Sequence, residues 1–197
     1  MTYRILTRYQ VTDPGPIIQR APEVREKVLA AGARRSVLFQ PLATGPSVGA
    51  LAWASAWDSI DAAIEGLAKV YADPAIAVLR DANPVVSRSI SKSLLERGDP
   101  TGSKFVGVTR FTASSHSERA VDICWEKGQP NGITAIRVSQ YISGGEAPGS
   151  YVALFFTGSL DGWAETVSQV TSDKAFLEEG ERTNLSITSR GLAKIIR

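Results

Sequence analysis

Among its 197 residues the chain has one cysteine, one histidine and one methionine. A single cysteine, Cys124, excludes an intrachain disulfide and a cysteine-rich metal cluster, and gives no sign of an oxidising compartment. A single histidine, His116, excludes the multi-histidine ligand sets of catalytic zinc. Charge of one sign is also scarce: 22 basic and 20 acidic residues leave a net charge of +2, too weak a field to hold nucleic acid or an anionic membrane surface. No run approaches the roughly 20 apolar residues that cross a bilayer. Met1–Val11 alternates apolar and polar residues, so no signal peptide is expected and the expected location is cytoplasmic. What remains, 43% hydrophobic and 21% charged, is ordinary for a globular protein.

The informative feature is a repeat. Gln40–Ile76 lies over Gln140–Phe176 without a gap at an offset of one hundred residues. Ser59, Asp61, Glu65, Val70 and Asp73 meet Ser159, Asp161, Glu165, Val170 and Asp173, and Gly49 meets Gly149. Ile60 faces Leu160 and Ile76 faces Phe176, so apolar character persists where identity is lost. The chain therefore reads as two halves, 1–95 and 104–197, each large enough to bury its own core. The stretch 96–103, rich in polar residues and chain breakers, reads as their linker.

Hydrophobic periodicity gives each half the same order. In the first, strand Tyr3–Val11 is broken at Asp13-Pro14-Gly15-Pro16, and a helix is expected over Glu23–Ala31 with Pro22 in its first turn. Strands Arg35–Leu42 and Gly49–Trp57 flank the turn residues Thr44–Ser47. Asp58 or Ser59 caps a helix over Ile60–Ala72, a short turn follows at Ala75–Asp81, and Asn83–Ser91 is the last strand. In the second half, strand Phe105–Thr112 precedes a helix that opens on the box Ser115-x-x-Glu118 and runs to about Lys127. Strands Thr134–Ser143 and Ser150–Thr157, helix Leu160–Thr171 and strand Asn184–Ser189 complete it. The apolar tail Leu192–Ile196 packs back on the body. The result is an α+β chain of two tandem ferredoxin-like strand-helix-strand-strand-helix-strand units. Each four-stranded antiparallel sheet carries its helices on one face. The opposite face needs cover, and the simplest cover is the sister sheet, which gives one pseudo-symmetric alpha-beta barrel.

This doubled order resembles the dimeric alpha-beta barrel superfamily in tandem form. Trp57-Asp58-Ser59-Ile60-Asp61-Ala62-Ala63 is similar to the tryptophan-x-serine-x-x-alanine junction of antibiotic-biosynthesis monooxygenase-like domains. Asp73-Pro74 is similar to a helix ending of EthD-like and NIPSNAP-like members. The resemblance implies a fold shared by cofactor-free monooxygenases, isomerases, cyclases and haem enzymes, and so fixes architecture better than chemistry. Many monooxygenase-like members carry a histidine in the second helix, and Ile60–Ala72 has none. Haem-binding members use an axial histidine, so no cofactor is expected here, and no metal.

The candidate catalytic residues are Arg8, Tyr9, Trp53 and Trp57. An arginine fork suits a carboxylate, phenolate or enolate, and indoles give flat apolar area with one donor. The competing reading makes the arginine a solvated strand residue and the tryptophans core. In the second half Ala153 and Thr157 replace Trp53 and Trp57, a divergence that fits one half keeping a pocket, or drift. His116 reads as an exposed residue of a capping box, Cys124 as a buried apolar filler, and Asp61/Glu65 with their partners as a solvated helix face. The function expected is a small-molecule protein, a cofactor-independent monooxygenase or cyclase acting on an aromatic or polyketide-like compound. The alternatives are a non-catalytic ligand-binding or stress-associated module, and an oligomeric assembly protein. Expected partners are a small apolar or aromatic ligand and further copies of the chain, not nucleic acid or membrane.

Overall fold

Among the identities that survive between the halves are residues that start helices. In the computed structural model, which describes residues 1–43, 49–144 and 148–196, the Ser59 hydroxyl accepts from the Ala62 N–H and the Ser159 hydroxyl from the Gly162 N–H. Each satisfies a donor that a first helical turn leaves unpaired. They open α2 (Ile60–Ala72) and α5 (Leu160–Ser172). Asp73 and Asp173 cap the helices that follow, α3 (Pro74–Ala82) and α6 (Lys174–Arg182). Each aspartate also holds a lysine at the far end of its half's first helix: Lys27 pairs with Asp73, and Lys127 with Asp173 at 3.0 Å. The corner between the two helices after each hairpin is thus tied back to the first helix by the same two residues, one hundred positions apart.

The first half runs β1 (Tyr3–Tyr9), α1 (Gly15–Ala30), β2 (Arg35–Ala43), β3 (Leu51–Trp57), α2, α3 and β4 (Val85–Gly98). The second runs β5 (Phe105–Thr112), α4 (Glu118–Gly128), a 3-10 turn, β6 (Ile133–Ser143), β7 (Tyr151–Thr157), α5, α6 and β8 (Ser186–Ile196). Strand orders are β4-β1-β3-β2 and β8-β5-β7-β6. Registers match as well: Tyr9 lies opposite Leu51 and Phe111 opposite Tyr151, and a bulge falls at Arg8/Tyr9 and again at Arg110/Phe111. The fold is α+β with two tandem βαββαβ repeats, as the sequence indicates. By contacts the chain forms two compact units, Met1–Lys92 with Tyr141–Pro148 and Ile195–Arg197, and Ser93–Gln140 with Gly149–Lys194. Among the described residues no helix is long and apolar enough to cross a membrane.

Several boundaries differ from the sequence reading, each for a local reason. α1 begins at Gly15, not Glu23. Proline in a first turn has no donor to lose, so the Pro14–Pro16 stretch read as a breaker starts the helix, and Ile17 and Ala21 anchor it in the core. Pro22 lies inside the helix rather than at its start. The turn expected at Ala75–Asp81 is the full helix α3, and α6 had no counterpart in the sequence reading because Glu178, Glu179, Glu181 and Arg182 hide its short apolar stripe. α4 is capped by Ser117, whose hydroxyl accepts from the Ala120 N–H, and not by the box at Ser115. β4 runs on through Gly98, into the stretch read as a linker. There Arg97 is bound by Asp122 and Glu118, each at 2.8 Å. β8 absorbs both the strand expected at Asn184–Ser189 and the tail Leu192–Ile196. The turn expected at Thr44–Ser47 lies outside the described residues.

The core of each unit sits between its sheet and its helices. In the first, Trp57 is fully buried with Ile5, Val28, Ala63, Leu67 and Val70. Its ring lies flush on α2 because residue 66 is glycine: a Cβ built there would meet the ring at 2.4 Å. In the second unit the indole comes from the opposite wall. Trp163 of α5 lies over Gly107 of β5, where a Cβ would come within 1.9 Å of the indole nitrogen. Thr157 and Thr166 occupy the positions of Trp57 and Gly66. One indole against one glycine fills the same layer in both repeats, contributed from the strand in one and from the helix in the other. Gly66→Ala is expected to destabilise the protein by about 1–3 kcal/mol, since overpacking a rigid ring outweighs the roughly 1 kcal/mol gain in helix propensity. Urea unfolding monitored by tryptophan fluorescence measures it; equal or higher stability contradicts the packing account.

Candidate functional site

Each unit has a cavity between its sheet and its helices, and the two occupy equivalent places. The first-unit cavity is lined by Thr7, Tyr9, Trp53, Ser55, Leu67 and Tyr71, with Val24, Val28, Val70 and Ile76. The second-unit cavity is lined by Thr109, Phe111, Cys124, Ala153, Phe155 and Phe176, among others. They hold about 350 and about 610 Å³ of empty space, open solvent at their mouths included. One exchange accounts for much of the difference. Trp53 reaches into the first cavity with its indole N–H donated to Ser36 Oγ at 2.7 Å, whereas the second unit has Ala153 and Ile136 at those positions.

The second cavity has apolar walls and a polar rim. Ile136, Val138, Ala153 and Phe155 come from the sheet, Val121 and Cys124 from α4, and Phe176 from α6. Phe111 stacks on Tyr151, ring centroids 5.3 Å apart. Ser115, His116 and Ser117 stand at the mouth, where α4 begins. This rim is fastened to α6: Ser114 N–H and Oγ both donate to the Thr183 carbonyl, at 2.8 and 3.0 Å, and the Ser117 hydroxyl donates to Glu179. Glu179 is 7% exposed. The Arg182 guanidinium, then the Ser117 hydroxyl, hold its carboxyl down at about 2. Burial pushes the Cys124 thiol up to about 12, so at neutral pH it is an apolar wall group and not a nucleophile.

Of the four residues singled out in the sequence, Tyr9 and Trp53 meet at the first cavity. Arg8 lies on β1 between them in register but on the opposite sheet face, and Trp57 is enclosed core whose N–H goes to Ser55 Oγ at 2.8 Å. Two partners escaped the sequence reading. Tyr71 on α2 has its hydroxyl 3.3 Å from that of Tyr9, and Arg88 on β4 donates to Tyr71 at 2.6 Å and lies over its ring at 5.1 Å. Thr7 opposite Arg88 in the β1–β4 register would have suggested the latter. His116, read as a residue of a capping box, lines the second cavity instead. Asp61, Glu65, Asp161 and Glu165 are exposed, a solvated face as read. Among the described residues no group of three or more histidine, cysteine or acidic side chains is placed to hold a metal ion.

No family model and no curated protein sequence matches the chain. Solved structures do. An anthrone oxidase-like protein is 12% identical with a TM-score of 0.61, over 100% of this chain and 92% of that one. A proposed monooxygenase from Lactobacillus acidophilus is 11% identical with a TM-score of 0.57, over 100% and 93%. A heme-binding protein from Thermus thermophilus is 11% identical with a TM-score of 0.61, over 99% and 92%.

These structures share the α+β fold of this chain over nearly its whole length.

At such identities the likeness carries fold and no activity. One of these structures is that of a heme-binding protein, and the larger cavity here does not suit haem. Its interior donor is the protonated Cys124 thiol, His116 stands at the exposed rim, and none of the lining residues carries a lysine or arginine for propionates. The clasp on α6 makes a separate prediction. Glu179 is held below its ordinary 4.5 in the folded chain, so it stabilises the fold fully above that value, and the contribution is lost as pH falls toward about 2. Glu179→Gln should lower the melting temperature at pH 7 and flatten its fall between pH 5 and 2.5. Parallel pH profiles of the two proteins would count against the clasp.

Proposed function

We propose that the chain binds a small apolar, aromatic compound in the second-unit cavity and converts it without a cofactor, as an oxygenase or cyclase of aromatic or polyketide-like substrates. The observation that carries this is a cavity with largely apolar walls, widened by Ala153, with Ser115, His116 and Ser117 at its mouth and one buried hydroxyl, Thr109, on its sheet wall. Such a site favours a flat apolar body with its ionisable group at the rim. His116 is the imidazole positioned to take a proton from a phenol or enol there, and apolar walls strengthen every electrostatic contact made to the resulting anion. The names of two structural neighbours, an anthrone oxidase-like protein and a proposed monooxygenase, support the substrate class. Of the sequence candidates, Tyr9 and Trp53 belong with the other cavity, and Arg8 and Trp57 with neither.

A second reading, a binding module without chemistry, is favoured by one observation. The lining offers a single imidazole and a protonated thiol, with no carboxylate or second base inside. Anthrone separates the two. It should raise the melting temperature and quench intrinsic fluorescence, and Ala153→Phe, which fills the cavity without an indole N–H that Ile136 could not accept, should weaken binding at least about tenfold, roughly 1.4 kcal/mol. Oxygen uptake or product formation on anthrone that falls in His116→Ala supports conversion. Binding with no turnover leaves the module. Anthrone binding unaffected by Ala153→Phe defeats both.

A further inference from the structure

The first-unit cavity is smaller and chemically unlike the other, and the direction of its hydrogen bonds says what it accepts. Guanidinium and indole N–H groups only donate. Arg88 Nε donates to Thr7 Oγ1 at 3.2 Å, Arg88 Nη2 to the Tyr71 hydroxyl at 2.6 Å, and Trp57 Nε1 to Ser55 Oγ at 2.8 Å. Three hydroxyl oxygens on the cavity wall are therefore used as acceptors, and each keeps its own proton to give. The Tyr9 and Tyr71 hydroxyls lie 3.3 Å apart and share one hydrogen bond, which uses one of their two protons. One phenol proton of the pair is then left for the cavity. Burial, and next to it the neighbouring Tyr71, push the Tyr9 phenol up, so that proton stays in place. Thr7 and Ser55 are 3% and 4% exposed, and among the described residues neither hydroxyl has an acceptor for its proton. Buried donors without acceptors are unfavourable. None of the lining residues is acidic.

We propose that this cavity is a second binding site, for a small aromatic carboxylate. The carboxylate oxygens accept from Tyr9, Thr7 and Ser55. Arg88, behind Thr7 and Tyr71, supplies the opposite charge at short range, and the ring lies against Trp53, Val28 and Leu67. A carboxylate suits the site better than a neutral carbonyl because it brings two acceptor oxygens and a negative charge. The site is independent of the second-unit cavity and of whatever is bound there.

Benzoate is the probe, with methyl benzoate as the neutral arm, titrated calorimetrically into the full chain. Benzoate should bind, and methyl benzoate at least about tenfold more weakly. Tyr9→Phe and Ser55→Ala, each checked for folding by circular dichroism, should each weaken benzoate about fivefold or more; Ser55→Ala carries the test if Tyr9→Phe does not fold. Ala153→Phe, in the other unit, should leave benzoate binding unchanged. The proposal is overturned if benzoate does not bind, if folded Ser55→Ala binds it as tightly as the parent, if Ala153→Phe abolishes binding, or if crystals saturated with benzoate show only ordered water on the three hydroxyls.

Discussion

An indole packed against a glycine sets the distance between helix and sheet in each half of this chain. An indole is too wide to sit under a helix or over a strand unless the facing residue has no side chain. Gly66 beneath Trp57 and Gly107 beneath Trp163 meet that requirement from opposite walls. The layer is filled once in each repeat, and the elements around it keep the same order and matching registers. Exchange of the partners between walls, with Thr157 and Thr166 in the vacated places, keeps the volume while changing the sequence, which is the kind of substitution a packed interior tolerates.

Beyond that fixed layer the two units diverge, and the divergence gives them different chemistry. Trp53 projects into the first cavity and Ala153 leaves the second wide. The first keeps hydroxyls whose lone pairs are taken by Arg88 and Trp57, and so presents donors. The second replaces Ser36 and Ser55 by Ile136 and Phe155 and becomes more apolar, keeping Thr109 on its wall and a polar rim that Ser114, Ser117 and Glu179 hold to α6. A tandem chain has this freedom: one copy preserves the shared geometry while the other changes, and neither change disturbs the corners fastened by Lys27–Asp73 and Lys127–Asp173.

The candidate site was less legible than the fold. Tyr9 and Trp53 were visible because they alternate onto one face of their strands, a period that sequence states directly. Tyr71 and Arg88 were not, since they join Tyr9 from a helix and from a strand distant in sequence, and no local pattern reports such a meeting. His116 is exposed at a helix start, as read, but Ser117 and not Ser115 takes the cap, and the place of the histidine at a cavity mouth had no local signal. The exchange of Trp53 and Trp57 for Ala153 and Thr157 fitted one half keeping a pocket without saying which. Bulk on a strand fills a cavity as readily as it lines one, and the wider space lies in the half that carries alanine.

The sequence alone established the doubled βαββαβ order, the helices that open at Ile60 and Leu160, and the strand faces, because these depend on contacts within a few residues and on periods of 2 and 3.6. It did not determine α6, the reach of β4 and β8, or the start of α1 at Gly15. Those were decided by tertiary contacts: Glu179 against Ser117, Arg97 against Asp122, Ile17 and Ala21 in the core. The two cavities belong to the same category. Their difference in size follows from Trp53 in one and Ala153 in the other, and that this position faces a cavity is settled only when strand and helix are brought face to face.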